Sequence, residues 1–157
     1  MTYNIKFKNL QITDLSLKIG SFDKKVTEKF ETKFSFNSAF TSKNDKIFAI
    51  VYNLELNNQD SKFNLKIKAT SHFETEEAIT LEFRSSSFVK INAPAISFPY
   101  LRAFVANFTL NSGFEPIMLP TFNFVQMFQD LEKKKSEKLI KEISKKPTIK
   151  TAIKRIK

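Results

Sequence analysis

Apolar and polar residues alternate along the first half of the chain with the period of two that a sheet with one wet face produces. From Lys25 to Phe36, Val26, Phe30, Phe34 and Phe36 take even positions, and Lys25, Lys29, Lys33 and Ser35 take odd ones. Between Lys46 and Leu56 the even positions are again apolar: Phe48, Ile50, Tyr52, Leu54 and Leu56. The opposite face changes from Ile47, Ala49 and Val51 to Asn53 and Glu55, which predicts a strand covered on both sides at its start. Asn57-Asn58-Gln59-Asp60 reads as a hairpin turn, and Lys62 to Ala69 alternates once more, with Phe63, Leu65, Ile67 and Ala69 against Lys62, Asn64, Lys66 and Lys68. Nearer the N-terminus the apolar phase slips from odd (Ile5, Phe7) to even (Leu10, Ile12) and back to odd (Leu15, Leu17, Ile19). Either bulges or a strand that changes partner produces such slips. Between Ser71 and Asn92, Ile79, Leu81 and Phe83 alternate, but Glu74 to Glu77 and Ser85 to Ser87 predict an irregular crossover.

From Pro99 the period becomes helical. Leu101, Phe104, Val105 and Phe108 share one face, Pro99 suits a first turn and Gly113 the position past the last. A second helix is expected with Asn123 as cap and Gln126 three residues on, carrying Phe124, Val125, Phe128 and Leu131. It turns polar after Asp130 and must stop or kink near Pro147; beyond, Ile149, Ile153 and Ile156 fall on one possible helical face. The predicted fold is α+β: a four-stranded antiparallel sheet, a long crossover and two helices, with 1–131 as the domain and 132–157 as a basic, polar helical tail.

With 157 residues, 41% of them hydrophobic, one ordinary core suffices. The absence of Cys removes disulfides and thiolate zinc sites. Gly20 and Gly113 are the only glycines, so no glycine-rich phosphate loop exists. Alternation beginning at once, without a signal-like apolar stretch or an apolar run long enough for a membrane span, gives the expectation of a soluble, cytoplasmic protein. The net charge of +10 is concentrated late: residues 129–157 hold eleven Lys and Arg against four acids, +7. Such a tail can bind nucleic acid or anionic lipid, with strong salt dependence, or serve as a solvated face. The absence of aromatic residues after Phe128 argues against base stacking.

Little of the chain offers catalysis. His72 is the one histidine, on a strand-like segment, and a structural or solvent role is expected. Glu74, Glu76 and Glu77 form the one acidic knot, read as a solvated loop rather than a glycosidase pair. No enzyme activity, metal or cofactor is expected. Eighteen Phe without a Trp stand out instead. An AT-rich coding sequence or selection for aromatic binding surface accounts for them. Many, among them Phe22, Phe40, Phe73, Phe88, Phe98, Phe114, Phe122 and Phe124, lie at segment ends, where an interface or groove would use them. Phe63, Leu65 and Ile67 on one strand face and Leu101, Phe104, Val105 and Phe108 on one helix face are expected to make an oligomer interface.

The order of these elements resembles the SecB family of protein-export chaperones across residues 3 to 131. The specific part is Pro94, Phe98, Pro99, Tyr100 and Arg102 at the start of the first main helix, Gly113 at its end and Asn123-Phe124 at the start of the second; Ile96 and Leu101 suit the pattern more loosely. The resemblance implies a homotetramer, a dimer of dimers with sheets outside and first helices between them. It also implies ATP-independent holding of unfolded or precursor polypeptides in grooves, for which Phe98, Tyr100, Phe114, Leu119, Phe122, Phe124 and Phe128 are the candidates. Several weak apolar subsites on a groove give avidity for extended chains with little sequence specificity. Family members pass cargo to the motor SecA, whose basic zinc tail docks on an acidic sheet surface. Here Asp14, Glu55 and Asp60 are the candidate acids, and Lys18 stands where the family usually has a second acid, which implies weakened docking. Solitary and toxin–antitoxin members guard one aggregation-prone partner, and an antitoxin or other single client is the alternative reading.

Overall fold

Four strands, β1 (Ile5–Lys18), β2 (Glu31–Phe40), β3 (Ile47–Asn58) and β4 (Phe63–Thr75), pair in the order β1-β4-β3-β2, all antiparallel. The computed structural model describes residues 4–20, 30–58 and 63–144. Val26, Phe22, Gln59, Asp60 and the isoleucines from Ile149 onward lie outside the described residues. Register stacks the apolar positions into rows across the sheet, since side chains alternate faces and directly opposed residues share one. Phe40, Phe48, Phe73 and Phe7 form one row, Phe36, Tyr52, Ala69 and Ile12 another, and Phe34, Leu54, Ile67 and Leu15 a third. The phase slips of the N-terminal segment are two β-bulges, between Phe7 and Asn9 and between Ile12 and Asp14. Each extra residue, Lys8 and then Thr13, turns the next side chains over and returns the apolar ones to the inner face.

Strand β4 runs past Ala69 to Thr75, so His72 and Glu74 belong to the sheet. The crossover then holds helix α1 (Leu81–Ser85), whose first turn is capped by the Thr80 hydroxyl accepting the Phe83 N–H at 3.1 Å. A π turn (Phe88–Asn92) leads directly into helix α2 (Ala93–Asn111). Pro99 therefore does not sit in the first turn as the sequence predicted; Pro94 does. Pro94 directly follows Ala93, whose N–H closes the π turn on Phe88 O, whereas Pro99, inside the helix, deprives the carbonyl of Ala95 of a partner. Both Ala95 and Pro99 are exposed.

Helix α2 lays Ala93, Pro94, Ser97, Phe98, Leu101, Val105 and Thr109 on the sheet. The buried Tyr52 hydroxyl joins the layers: it donates to Pro94 O at 3.1 Å and lies 2.6 Å from Ser97 Oγ. Burial pushes this phenol's pKa well up, and the bond to Ser97 offsets only part of that. Gly113, at φ 87, ends the helix with the Gly113 N–H on Leu110 O and the Phe114 N–H on Thr109 O, the paired bonds of a Schellman cap. Residues 115–123 form neither helix nor strand, and helix α3 spans Phe124–Ser144. The chain divides into two units, Met1–Phe124 and Val125–Lys157. Within the second, α3 carries a Gln126–Asp130 hydrogen bond and a Lys135–Glu132 ion pair, and continues unbroken past Leu131.

The outer face of the sheet differs from expectation at β3. Ile47, Ala49 and Val51 are half-buried there, whereas Phe48, Ile50 and Tyr52 on the inner face are fully buried. Among the described residues no helix is long and apolar enough to cross a membrane.

Candidate functional site

Strand β2 forms one edge of the sheet, and its even residues meet α2 and the returning segment in a cluster of six rings. Phe34 stacks on Phe122 with centroids 4.3 Å apart and planes 9° from parallel. Phe98, from α2, stands edge-on to both, at 5.4 Å from Phe34 and 5.1 Å from Phe122. Phe124 packs at 5.8 Å from Phe98 and 5.6 Å from Phe36, and Tyr52 lies beneath at 5.8 Å from Phe34. Offset and edge-to-face arrangements are those the ring quadrupole favours, at about 0.5–1.5 kcal/mol per pair beyond area burial.

The segment that brings Phe122 back is anchored by a buried hydroxyl. Thr109 Oγ1 donates to Val105 O at 2.9 Å and accepts the Ile117 N–H at 2.9 Å, so the end of α2 fixes the path of the following residues. Leu119 is buried, and Phe114 packs edge-on to Phe63 at 5.4 Å, with Phe30 on the other side of Phe63 at 5.3 Å. Phe98 and Phe124 are only 5% and 6% exposed, whereas Phe34, Phe36 and Phe122 are half-buried. The cluster contains no carboxylate, amine or imidazole. Its chemistry is that of an apolar, polarisable surface.

The candidate residues thus divide. Phe98, Phe122 and Phe124 come together; Phe114 and Leu119 support the segment from below. Tyr100 sits toward the other sheet edge, stacked on Phe7 of β1 at 4.5 Å and about half exposed. Phe128 lies one helical turn beyond Phe124, in the second unit. Sequence reading placed Phe34, Phe36 and Tyr52 on a strand face without joining them to this group. Part of their signal was present, because Phe34 and Phe36 alternate on one face of β2, but the register that sets Phe36 opposite Tyr52 and the partner helix were not identifiable.

The expected interface set also divides. Phe63, Leu65, Ile67, Leu101 and Val105 are buried within the single chain, since the sheet and α2 cover each other. They are core in the protomer, and the inference that one small domain has no room for them does not hold. Phe104 and Phe108 lie elsewhere on α2, half-buried and stacked at 5.8 Å.

On the outer face, Asp14 stands opposite Lys68, and Glu55 accepts from Asn64 at 3.1 Å and pairs with Lys66 at 3.2 Å. These bonds, first that of Asn64 and then that of Lys66, hold the Glu55 carboxyl below the usual carboxylate range. Asp14, Glu55, Lys33, Lys66 and Lys68 line one open depression of about 400 Å³, in which lysines outnumber acids. Asp60 lies outside the described residues. His72 Nδ1 is 2.9 Å from Asn9 Oδ1, and Glu74 pairs with Lys8 at 2.8 Å. Among the described residues no group of three potential metal ligands assembles.

Residues 2–136 match the model of the family described as preprotein translocase subunit SecB. The chain is 27% identical over 139 residues to an uncharacterized protein of Methanocaldococcus jannaschii, covering 85% of this chain and 88% of that one. It is 33% identical over 104 residues to the protein-export protein SecB of Mesorhizobium japonicum, covering 54% of this chain and 62% of the relative. The fold matches a SecB-like chaperone of Mycobacterium tuberculosis, solved with a ChAD peptide from the HigA1 antitoxin, with a TM-score of 0.62 at 14% identity over 75% of this chain and 90% of that one.

Proposed function

The chain belongs to the SecB family, and from that premise we propose that it is an ATP-independent holding chaperone that takes unfolded or precursor polypeptides on the aromatic surface of Phe34, Phe36 and Phe122. The observation that carries this reading is the ring cluster at the β2 edge, in which the half-buried Phe34, Phe36 and Phe122 are backed by the buried Phe98 and Phe124. A rigid apolar surface without charged groups binds exposed apolar side chains of many sequences, and folded proteins keep such side chains covered. Suppression of the aggregation of a chemically denatured client, without nucleotide, tests it; Phe122→Ala removes one of the half-buried rings.

The working form is a homotetramer, in the cytoplasm. Supporting this, α2 is apolar on both faces: while one face covers the sheet, Ile96, Tyr100 and Leu110 are 42%, 53% and 54% exposed, and Phe104 and Phe108 are half-buried. A helix apolar all round is stable when buried all round, and a second copy of α2 is the complementary cover. Light scattering showing only an 18.2 kDa monomer at micromolar concentration contradicts it.

A second reading, a chaperone dedicated to an antitoxin or another single client, is favoured by the outer face. Its acids are already engaged by Lys66 and Asn64 or face Lys68, which leaves little negative potential for a basic SecA tail. The Mycobacterium tuberculosis protein holds an antitoxin peptide on a similar fold. Polypeptides recovered bound to the protein from cells separate the two: many precursors under the first reading, one partner under the second.

A further inference from the structure

The net charge of the chain sits at one end. Residues 1–132 hold fifteen Lys and Arg against fourteen Asp and Glu, close to neutral, whereas residues 133–157 hold eleven against two, +9. A helical face that only keeps a protein in solution interleaves both signs at three- and four-residue spacing. The single-signed run begins inside helix α3, where Lys133, Lys134 and Lys135 are consecutive and exposed. Just before it, Val125, Phe128 and Leu131 follow at three-residue spacing, which sets them in one row along the helix. Val125 and Leu131 are 47% and 49% exposed and Phe128 is half-buried, so the row is open to a partner. Apolar row and basic run both belong to the second unit, apart from the ring cluster.

We propose that α3, together with the charge that follows it in the sequence, is a reversible anchor to the surface of an anionic bilayer. Charge complementarity gives the occupant's sign, and the apolar row distinguishes a lipid surface from other polyanions. Anionic headgroups overlie hydrocarbon, so both features are used at once: lysines meet headgroup phosphates while Val125, Phe128 and Leu131 enter the acyl boundary, about 5–10 Å deep. A nucleic acid offers phosphates without hydrocarbon, and the chain holds no aromatic residue past Phe128 on which a base would stack. Among the described residues no helix is long and apolar enough to cross a membrane, and the mode proposed is a helix lying on the surface. Each basic residue near such a surface multiplies partition by roughly five, an attraction that falls off within a Debye length of about 10 Å at 0.1 M salt. Three apolar residues alone anchor weakly; joined to the basic run they give an attachment that salt reverses. Anchoring goes beyond the holding reading and does not require it. Where both operate, a client kept unfolded is also kept beside the membrane.

Cosedimentation of the full-length protein with vesicles tests this, comparing phosphatidylcholine alone with phosphatidylcholine containing about one third phosphatidylglycerol. Binding is expected to the second only, falling at least about tenfold between about 50 mM and about 300 mM NaCl. Lys133→Gln, Lys134→Gln and Lys135→Gln together should lower it roughly a hundredfold. Leu131→Gln, which leaves the charge unchanged, should lower it roughly three- to tenfold. The chain has no Trp, so Leu131→Trp reports on the row directly: its emission should move to shorter wavelength with the anionic vesicles and stay in place with phosphatidylcholine. Equal binding to both kinds of vesicle, or unmoved emission from the bound Trp variant, overturns the anchor. Binding of transfer RNA at least about tenfold tighter than of anionic vesicles, by the unaltered protein and Leu131→Gln alike, overturns it in favour of a nucleic-acid surface. A smaller assembly of Leu131→Gln by light scattering, with vesicle binding unchanged, overturns it in favour of a second copy on this face. Vesicle binding and suppression of client aggregation are separate readouts, so failure of the anchor leaves the holding reading in place, and the reverse.

Discussion

Replacing Phe122 by alanine separates a client-binding ring from a core ring. Phe122 makes two close ring pairs, with Phe34 at 4.3 Å and Phe98 at 5.1 Å, and is half-buried. Two aromatic pairs at about 0.5–1.5 kcal/mol each, with about half of the 1.5–3 kcal/mol for full burial of such a side chain, give a loss of about 2–4.5 kcal/mol. Phe98→Ala, at a site 5% exposed, should cost about 3–5 kcal/mol. Against a total stability of about 5–15 kcal/mol the Phe122 variant remains folded, with its melting temperature lowered by roughly 4–18 °C. Phe124, 6% exposed, is a core ring, so the single Phe122 variant is a cleaner test than a Phe122/Phe124 double replacement. Affinity for an unfolded client, read by fluorescence anisotropy at a temperature where circular dichroism shows the variant folded, should fall roughly five- to hundredfold, as expected for a lost aromatic subsite worth about 1–3 kcal/mol. Unchanged affinity in a folded variant refutes the assignment of the cluster as the client surface. A stability loss larger than that of Phe98→Ala refutes the view that Phe122 is the less deeply packed of the two rings.

Thr109→Val keeps the shape but removes the hydroxyl that accepts the Ile117 N–H, and should cost about 1–3 kcal/mol in urea denaturation with a parallel loss of client affinity. Gaining neither effect would show that the segment is held by Leu119 and Phe114 alone. The carboxyls of Glu55, held down first by Asn64, and of Glu74, held down by Lys8, titrate below the ordinary carboxylate range. A depressed folded pKa contributes stability that is present above the unfolded value and lost as pH falls through the folded one, so these groups add nothing to pH dependence near neutrality and lose their contribution on acidification below that range. Carbon-detected NMR titration should show Lys8→Gln returning Glu74 toward the ordinary value while Glu55 stays in place. Binding of a basic SecA zinc tail should be weak, strongly salt-sensitive and improved by Lys18→Glu; calorimetry showing tight, salt-insensitive binding to the unaltered chain defeats the charge argument.

The sheet was readable because a period of two survives wherever one face meets a core, and the two phase slips of β1 corresponded to real bulges at Lys8 and Thr13. The start of α2 was misplaced for a local reason. Pro94 and Pro99 both satisfy the rule for a first turn, and only the π turn at Phe88–Asn92 running straight into Ala93 decides between them. Tertiary pairing was less legible. Leu101 and Val105 carry a face that suits a partner subunit as well as their own sheet, and the sequence has no means of saying which cover arrives first. The cluster around Phe122 was half visible. Phe98, Phe122 and Phe124 stood out by position, whereas Phe34 and Phe36 passed for ordinary strand residues, because the order β1-β4-β3-β2 that makes β2 an edge is not written in periodicity.

Light scattering from a chemically denatured client diluted into buffer with and without the full-length protein, with no nucleotide present, tests the central claim most directly. The expected result is suppression of aggregation that saturates at a fixed ratio of protein to client, with no binding of the same client in its folded state. An aggregation curve unchanged by an excess of the folded protein contradicts the account.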